Sequence, residues 1–184
     1  KLAQIKQKGA IIADKFTGSL DAKGFTLFGL TNLQVENNQI SSYQGFALFK
    51  TLDGAIVKNL NIAETDNNAT KFVNTFAQSQ SNVLKLSLIA MDANNSQLVN
   101  VLLSKATFVI NGDYNLTNNA YIGGLVASAN GTTFAGCTVN LTVQFDAGFV
   151  TTSAKVYIGG VVAYATNGSV GNSEDGKTTT TSLT

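Results

Sequence analysis

One segment of this chain recurs four times, as GFALFKTLDGAIVKNLNI, LSLIAMDANNSQLVNVLL, YIGGLVASANGTTFAGCTV and YIGGVVAYATNGSVGNS. Repetition at such an interval restricts a chain to solenoids, propellers or other arrays of one supersecondary unit. Aligning Leu48 with Ile89, Leu125 and Val161 brings Asn59, Asn100, Gly136 and Asn172 into one column, at successive offsets of 41, 36 and 36 residues. Each unit reads as apolar strand, small polar turn and second apolar strand, the pattern of a chain coiling around a long axis.

The apolar runs are short and rich in β-branched and aromatic residues, and Gly, Asn or Asp interrupts them every few residues, so strands are expected nearly throughout. Only NNATKFVNTFAQSQSN, where Phe72, Phe76 and Ala77 fall at roughly helical spacing, has room for a helical turn or two. The same polar stretch lengthens the first interval to 41 residues and is expected to project from the solenoid wall as an inserted loop. Residues 1–15 read as a lead-in segment and 16–173 as the repeat domain. Two or three short strands are expected between Phe16 and Val35, followed by a polar loop from Glu36 to Ser42 that bends near Asn37 and Asn38. The Thr-rich residues 174–184 read as a tail, a linker to a further segment, or a final coil. The chain starts at Lys1 with no signal-peptide pattern, and the expectation is a mature or excised part of a longer protein.

Composition excludes more chemistry than it suggests. Apolar residues make up 44% of the chain, enough for a core, but charged residues only 12%, so neutral Asn, Thr, Ser and Gly must keep the surface wet. A net charge of +1 provides no electrostatic footprint for nucleic acid or an anionic membrane, and no apolar run is long enough to span a bilayer. The sequence contains no His, Arg, Trp or Pro. The commonest general base and metal ligand is therefore missing, as is the bidentate clamp for carboxylate or phosphate. Cys137 is the single cysteine and stands in the column of Leu60 and Val101, which predicts a small buried apolar residue and not a nucleophile or a zinc ligand.

The runs FTGSLDAKGFTLFGLTNLQV and GFALFKTLDGAIVKNLNI, with IGGLVASANGTTFAGCTV and IGGVVAYATNGSVGN, resemble the GLUG-motif repeats of large surface proteins. Such repeats occur in non-catalytic regions of bacterial immunoglobulin A peptidases and in filamentous adhesin-like proteins. The resemblance runs from about Phe16 to Asn172, and it departs from the motif at Ala127 and Ala163, where the family often has Gly. It implies an all-β chain, a right-handed parallel β-helix (β-solenoid) with short turns and one longer inserted loop, outside the cell or on its surface. Stacked coils about 4.8 Å apart would satisfy each other's backbone groups, and Gly123, Gly124, Gly159 and Gly160 would admit a close approach that a Cβ blocks.

Candidate sites are sparse. Parallel β-helices include polysaccharide-cleaving enzymes, which need paired carboxylates across the scissile bond. Asp53 and Asp92 fall in turns of successive repeats that read as equivalent, yet the last two units lack a matching acid, and the remaining carboxylates look like turn residues. No catalytic residue is assigned. No cofactor and no metal are expected, since the nonapeptide calcium pattern is missing. Six N-x-S/T sequons, at Asn68, Asn94, Asn115, Asn130, Asn140 and Asn167, are candidate glycosylation positions, with Asn68 and Asn115 the foremost. An intact mass equal to that of the bare polypeptide would remove them. The Thr pairs 132/133 and 151/152 share no repeat column, which argues against a flat ice-binding array. Tyr121 and Tyr157 do share a column, and that predicts a ring stack along the wall first and a binding strip second.

These readings converge on a structural or adhesive module, acting as a stalk, spacer or filament subunit. Its expected partners are neighbouring copies or further segments of the same surface protein, end to end, and a glycan or host-surface ligand. A carbohydrate-binding or polysaccharide-degrading β-helix is the alternative.

Overall fold

A computed structural model describes residues 9–28, 43–63, 71–75, 83–111, 115–116, 118–145, 150–151 and 154–184. Among these the chain is all strand and turn, with no helix, and every strand pairing is parallel. The architecture is the expected right-handed parallel β-helix, in which successive coils stack and each contributes one strand or strand pair to each of three faces.

The long face carries Gly9–Phe16, Tyr43–Asp53, then Val83–Leu86 with Ala90–Asn94, Ala120–Gly123 with Val126–Asn130, and Val156–Gly159 with Val162–Thr166. The short face stacks Ser19–Asp21, Ile56–Lys58, Gln97–Val99, Thr133–Ala135 and Ser169–Gly171. The third face stacks Thr26–Phe28, Asn61–Ala63, Leu102–Asn111, Thr138–Phe145 and Thr180–Leu183. The repeat columns hold at the level of single residues: Phe49 pairs with Ala90, Ala90 with Val126 and Val126 with Val162, which sets Leu48, Ile89, Leu125 and Val161 one above another.

The long face turns into the short face, and the short face into the third, at corners with a left-handed backbone. The first corner has Gly54, Asn95, Gly131 and Asn167 at φ between 47° and 64°, and the second has Asn59, Asn100 and Gly136 at 55°, 53° and 62°. Gly and Asn are the residues for which that conformation costs least, so one physical demand produces the columns visible in the sequence. Inside, Val57, Leu98 and Phe134 stack as the middle residues of the short-face triplets, beside Leu60, Val101 and Cys137 at the second corner, all buried. The hydroxyls of Ser96 and Thr132 are buried at the first corner. Ser96 Oγ accepts from the Ala55 amide at 3.1 Å and donates to the Asn94 carbonyl at 2.8 Å, and Thr132 Oγ1 donates to the Ala93 carbonyl at 3.0 Å.

The glycine pairs work by close approach. None of Gly123, Gly124, Gly159 and Gly160 has positive φ, so they are not left-handed turn residues. A Cβ on Gly123 or Gly159 would collide with the carbonyl of Val126 or Val162, and one on Gly124 would stand 2.6 Å from Val139 Cγ1 across the interior. Ser87 stands at the Gly123 position one coil earlier, and its hydroxyl donates to the Ala90 carbonyl at 2.6 Å.

The structure differs from the sequence reading in two places. Lys71–Thr75, inside the stretch with helical spacing, is a strand pairing in parallel with Thr107–Asn111. A lateral partner already in extended register outweighs the weak helical periodicity of two Phe residues. The strand Gly9–Phe16 forms long-face structure within the lead-in segment. Thr180–Leu183 completes the third face, as in the reading of the Thr-rich tail as a final coil. The expected loop and bend at 36–42 lie outside the described residues.

Candidate functional site

Three features of the surface can carry function: the last described coil, a groove on the short face, and a tyrosine cluster on the long face. At the C-terminal end the last strands of all three faces have a coil on one side only among the described residues. The inward positions of that coil are correspondingly uncovered. Ile158 is 38% exposed, Val170 58% and Leu183 46%, whereas their register partners Ile122, Phe134 and Leu141 are 0%, 1% and 0% exposed. Within the described residues this last coil therefore leaves an apolar column and strand edges for a further coil to cover.

The groove arises from an irregularity at the second corner. Two residues suffice there in three coils, as with Asn59–Leu60, Asn100–Val101 and Gly136–Cys137, but the last coil inserts residues 172–179 between Gly171 and Thr180. This excursion folds back across the previous coils. Ser173 is 7% exposed, its amide donates to the Lys177 carbonyl at 2.9 Å, and its Oγ lies over Gly136. Asp175 bonds Ser173 Oγ, pairs with Lys177 at 3.1 Å and accepts from Asn100 Nδ2 at 3.2 Å. Hydrogen bonds from Ser173 and Lys177 hold the Asp175 carboxyl below its ordinary value. Asn100 Nδ2 also reaches Asn59 Oδ1 at 3.5 Å, and Asn59 Nδ2 donates to Asp21 at 2.9 Å. That bond, with further bonds from Lys23, holds the Asp21 carboxyl well below the usual carboxylate range. The result is a rim of linked amides and carboxylates beside a cleft of about 570 Å³, floored by outward-facing Ile56, Val99 and Ala135.

The tyrosine stack is present. Rings of Tyr121 and Tyr157 lie 5.1 Å apart and 5° from parallel, and Tyr164 meets both edge-on at 5.9 and 5.5 Å. Coil spacing sets the ring spacing, because Tyr121 and Tyr157 are direct register partners.

The remaining sequence candidates are not brought together. Asp92 pairs with Thr51, and Asp53 with Asn94, so the two acids stand two residues out of register and not in equivalent turns. The 41-residue offset of the repeat already sets Asp53 level with Asn94, so the equivalence of the two acids does not follow from the alignment. Each is tied to its own lysine, Asp53 to Lys15 at 2.7 Å and Asp92 to Lys85. Cys137 is buried, and burial pushes its thiol up to about 11, away from nucleophile chemistry. No group of three or more potential metal ligands occurs among the described residues.

Of the sequons, Asn130, Asn140 and Asn167 are exposed and Asn94 half-buried, Asn115 lies in a short strand, and Asn68 lies outside the described residues. The sequons at Asn94 and Asn130 have a structural origin: their hydroxyl residues, Ser96 and Thr132, are the buried corner bonders described above. Asn130 Oδ1 is itself occupied, accepting from Thr166 Oγ1 and Asn167 Nδ2 at 3.1 Å each. Sequence reasoning did not find the groove, although the eight residues between Gly171 and Thr180, against two in each of the three preceding coils, were its signal. Comparison with protein-family models, curated proteins and solved structures gave no match.

Proposed function

We propose that this chain is a structural or adhesive β-solenoid module of an extracellular or cell-surface protein, of the kind built from GLUG-motif repeats, and that it extends by coil-on-coil association at its end. The observation that carries the reading is the terminal coil, whose inward Ile158, Val170 and Leu183 are uncovered beside free strand edges. A surface of that kind is matched by another coil obeying the same register, supplied by a neighbouring copy or a further segment of the same protein, and a heterologous contact that does not close makes a filament. A catalytic role finds no support in Asp53 and Asp92, which are engaged in separate ion pairs.

Electron microscopy of the native material tests this. The expected image is a continuous fibre in which coil spacing runs unbroken across each junction. Discrete particles of single-module size at every concentration would overturn the filament reading.

A further inference from the structure

We infer that the short-face groove is a binding site for an uncharged, hydroxyl-rich oligosaccharide, walled by the excursion 172–179. Three observations carry this beyond the stacking role. First, the wall is an insertion confined to one coil, and in repeat proteins such insertions gather on the face that binds. Second, the wall is anchored: Ser173 is buried over Gly136, and Asp175 is fixed by Ser173, Lys177 and Asn100, so the cleft exists before any ligand arrives.

Third, the chemistry of the lining selects the ligand. The strands that floor the cleft, Ile56–Lys58, Gln97–Val99 and Thr133–Ala135, are each paired on both sides, so an extended peptide cannot add as a strand between them, and recognition falls to side chains. Gln97 and Asn172 are exposed amides on the cleft, each offering a donor and an acceptor, beside the Thr133 hydroxyl and the Glu174 carboxylate. Sugar hydroxyls also donate and accept, and their carbon-bound hydrogens suit the Val99 and Ala135 floor. Glu174 and Asp175 repel anionic polymers, while Lys58 already pairs with Asp21 at 3.6 Å. The carboxylate of Asp175 is already occupied, which leaves no converging acids for a cation.

The test is a titration of isotope-labelled protein with cellotetraose, laminaritetraose and mannotetraose, read from the side-chain amides of Gln97 and Asn172 and the backbone amides of 172–176. Saturable shifts confined to those groups are expected with at least one probe, at millimolar or lower concentration. Gln97→Ala and Glu174→Gln should each weaken that binding tenfold or more while leaving the thermal midpoint unchanged, since both side chains are exposed. The inference is overturned if none of the three sugars gives saturable shifts, if the shifts appear at Tyr157 and Tyr164, or if both variants bind as the parent does. Tighter binding of tetragalacturonate than of the neutral sugars would also overturn it. None of these outcomes depends on whether the modules form fibres.

Discussion

Ser173 rests directly on Gly136, so closely that a Cβ on the glycine would stand 2.5 Å from Ser173 Oγ. The two preceding coils have asparagine in this column, at Asn59 and Asn100. Glycine at 136 interrupts the asparagine ladder where the excursion 172–179 must cross it, and both residue types tolerate the local φ of 62°. Restoring the ladder with Gly136→Asn should therefore leave the coil backbone intact and lift the excursion. The expected cost is about 1–3 kcal/mol from overpacking. Urea unfolding reads that cost, and hydrogen exchange should show faster exchange at the amides of Ser173 and Gly176. Unchanged exchange at both would mean the excursion does not depend on the gap.

The first corner makes a different prediction. Ser96 Oγ satisfies the buried amide of Ala55 from the previous coil at 3.1 Å. Ser96→Ala leaves that donor without its partner and should destabilise by about 1–3 kcal/mol. Ser96→Thr keeps the hydroxyl, as Thr132 does one coil later, and should recover most of the loss in the same denaturation assay. Equal loss in both variants would point to packing in place of the hydrogen bond.

How much of this was legible in the sequence follows from which forces act locally. Left-handed corners favour Gly or Asn, with Lys23 at φ 54° the exception, so Asn59, Asn100 and Gly136 announced themselves as a column, and Leu48, Ile89, Leu125 and Val161 followed. The ring stack of Tyr121 on Tyr157 was readable for the same reason. Gly9–Phe16 and Lys71–Thr75 were not, because their strand character comes from partners far along the chain, at Phe46–Leu52 and Thr107–Asn111. The groove was missed because its wall depends on a contact between Ser173 and Gly136 that no local pattern encodes. Asp53 and Asp92 stand 39 residues apart, two short of the 41-residue offset, so the repeat itself separates them.

Burial of Cys137 makes stability depend on alkaline pH. Its thiol has an ordinary value of 9.0 and is pushed up to about 11 by desolvation. The unfolded chain ionises first, so the contribution is fully present below pH 9 and is lost as pH rises through 11. The loss by the upper end is on the order of 2–3 kcal/mol. Cys137→Val, which fits a column already holding Val101, should lack this component and lose less stability than the parent between pH 9 and 11. Parallel pH profiles for the two proteins would show that the thiol does not titrate as its burial requires. In the folded protein near pH 8, Cys137 should also resist thiol reagents until denaturant is added.

The terminal coil gives the sharpest check on the proposed role. Val170 is inward-facing by register, opposite Phe134, yet it is 58% exposed, and Leu183 is 46% exposed opposite Leu141. A charge at either position meets solvent in the isolated module and should change its stability by no more than about 0.5 kcal/mol. In an end-to-end assembly the same charge would be buried without a partner, a penalty of several kcal/mol. Val170→Lys and Leu183→Lys should thus abolish concentration-dependent association in sedimentation velocity while leaving thermal unfolding of the dilute protein unaltered. Tyr164→Lys, on the outer wall and away from the axis, serves as the control and should leave association intact. If the outer-wall variant disrupts assembly and the two axial variants do not, the modules meet side by side through the tyrosine cluster, and stacking at the open end is wrong.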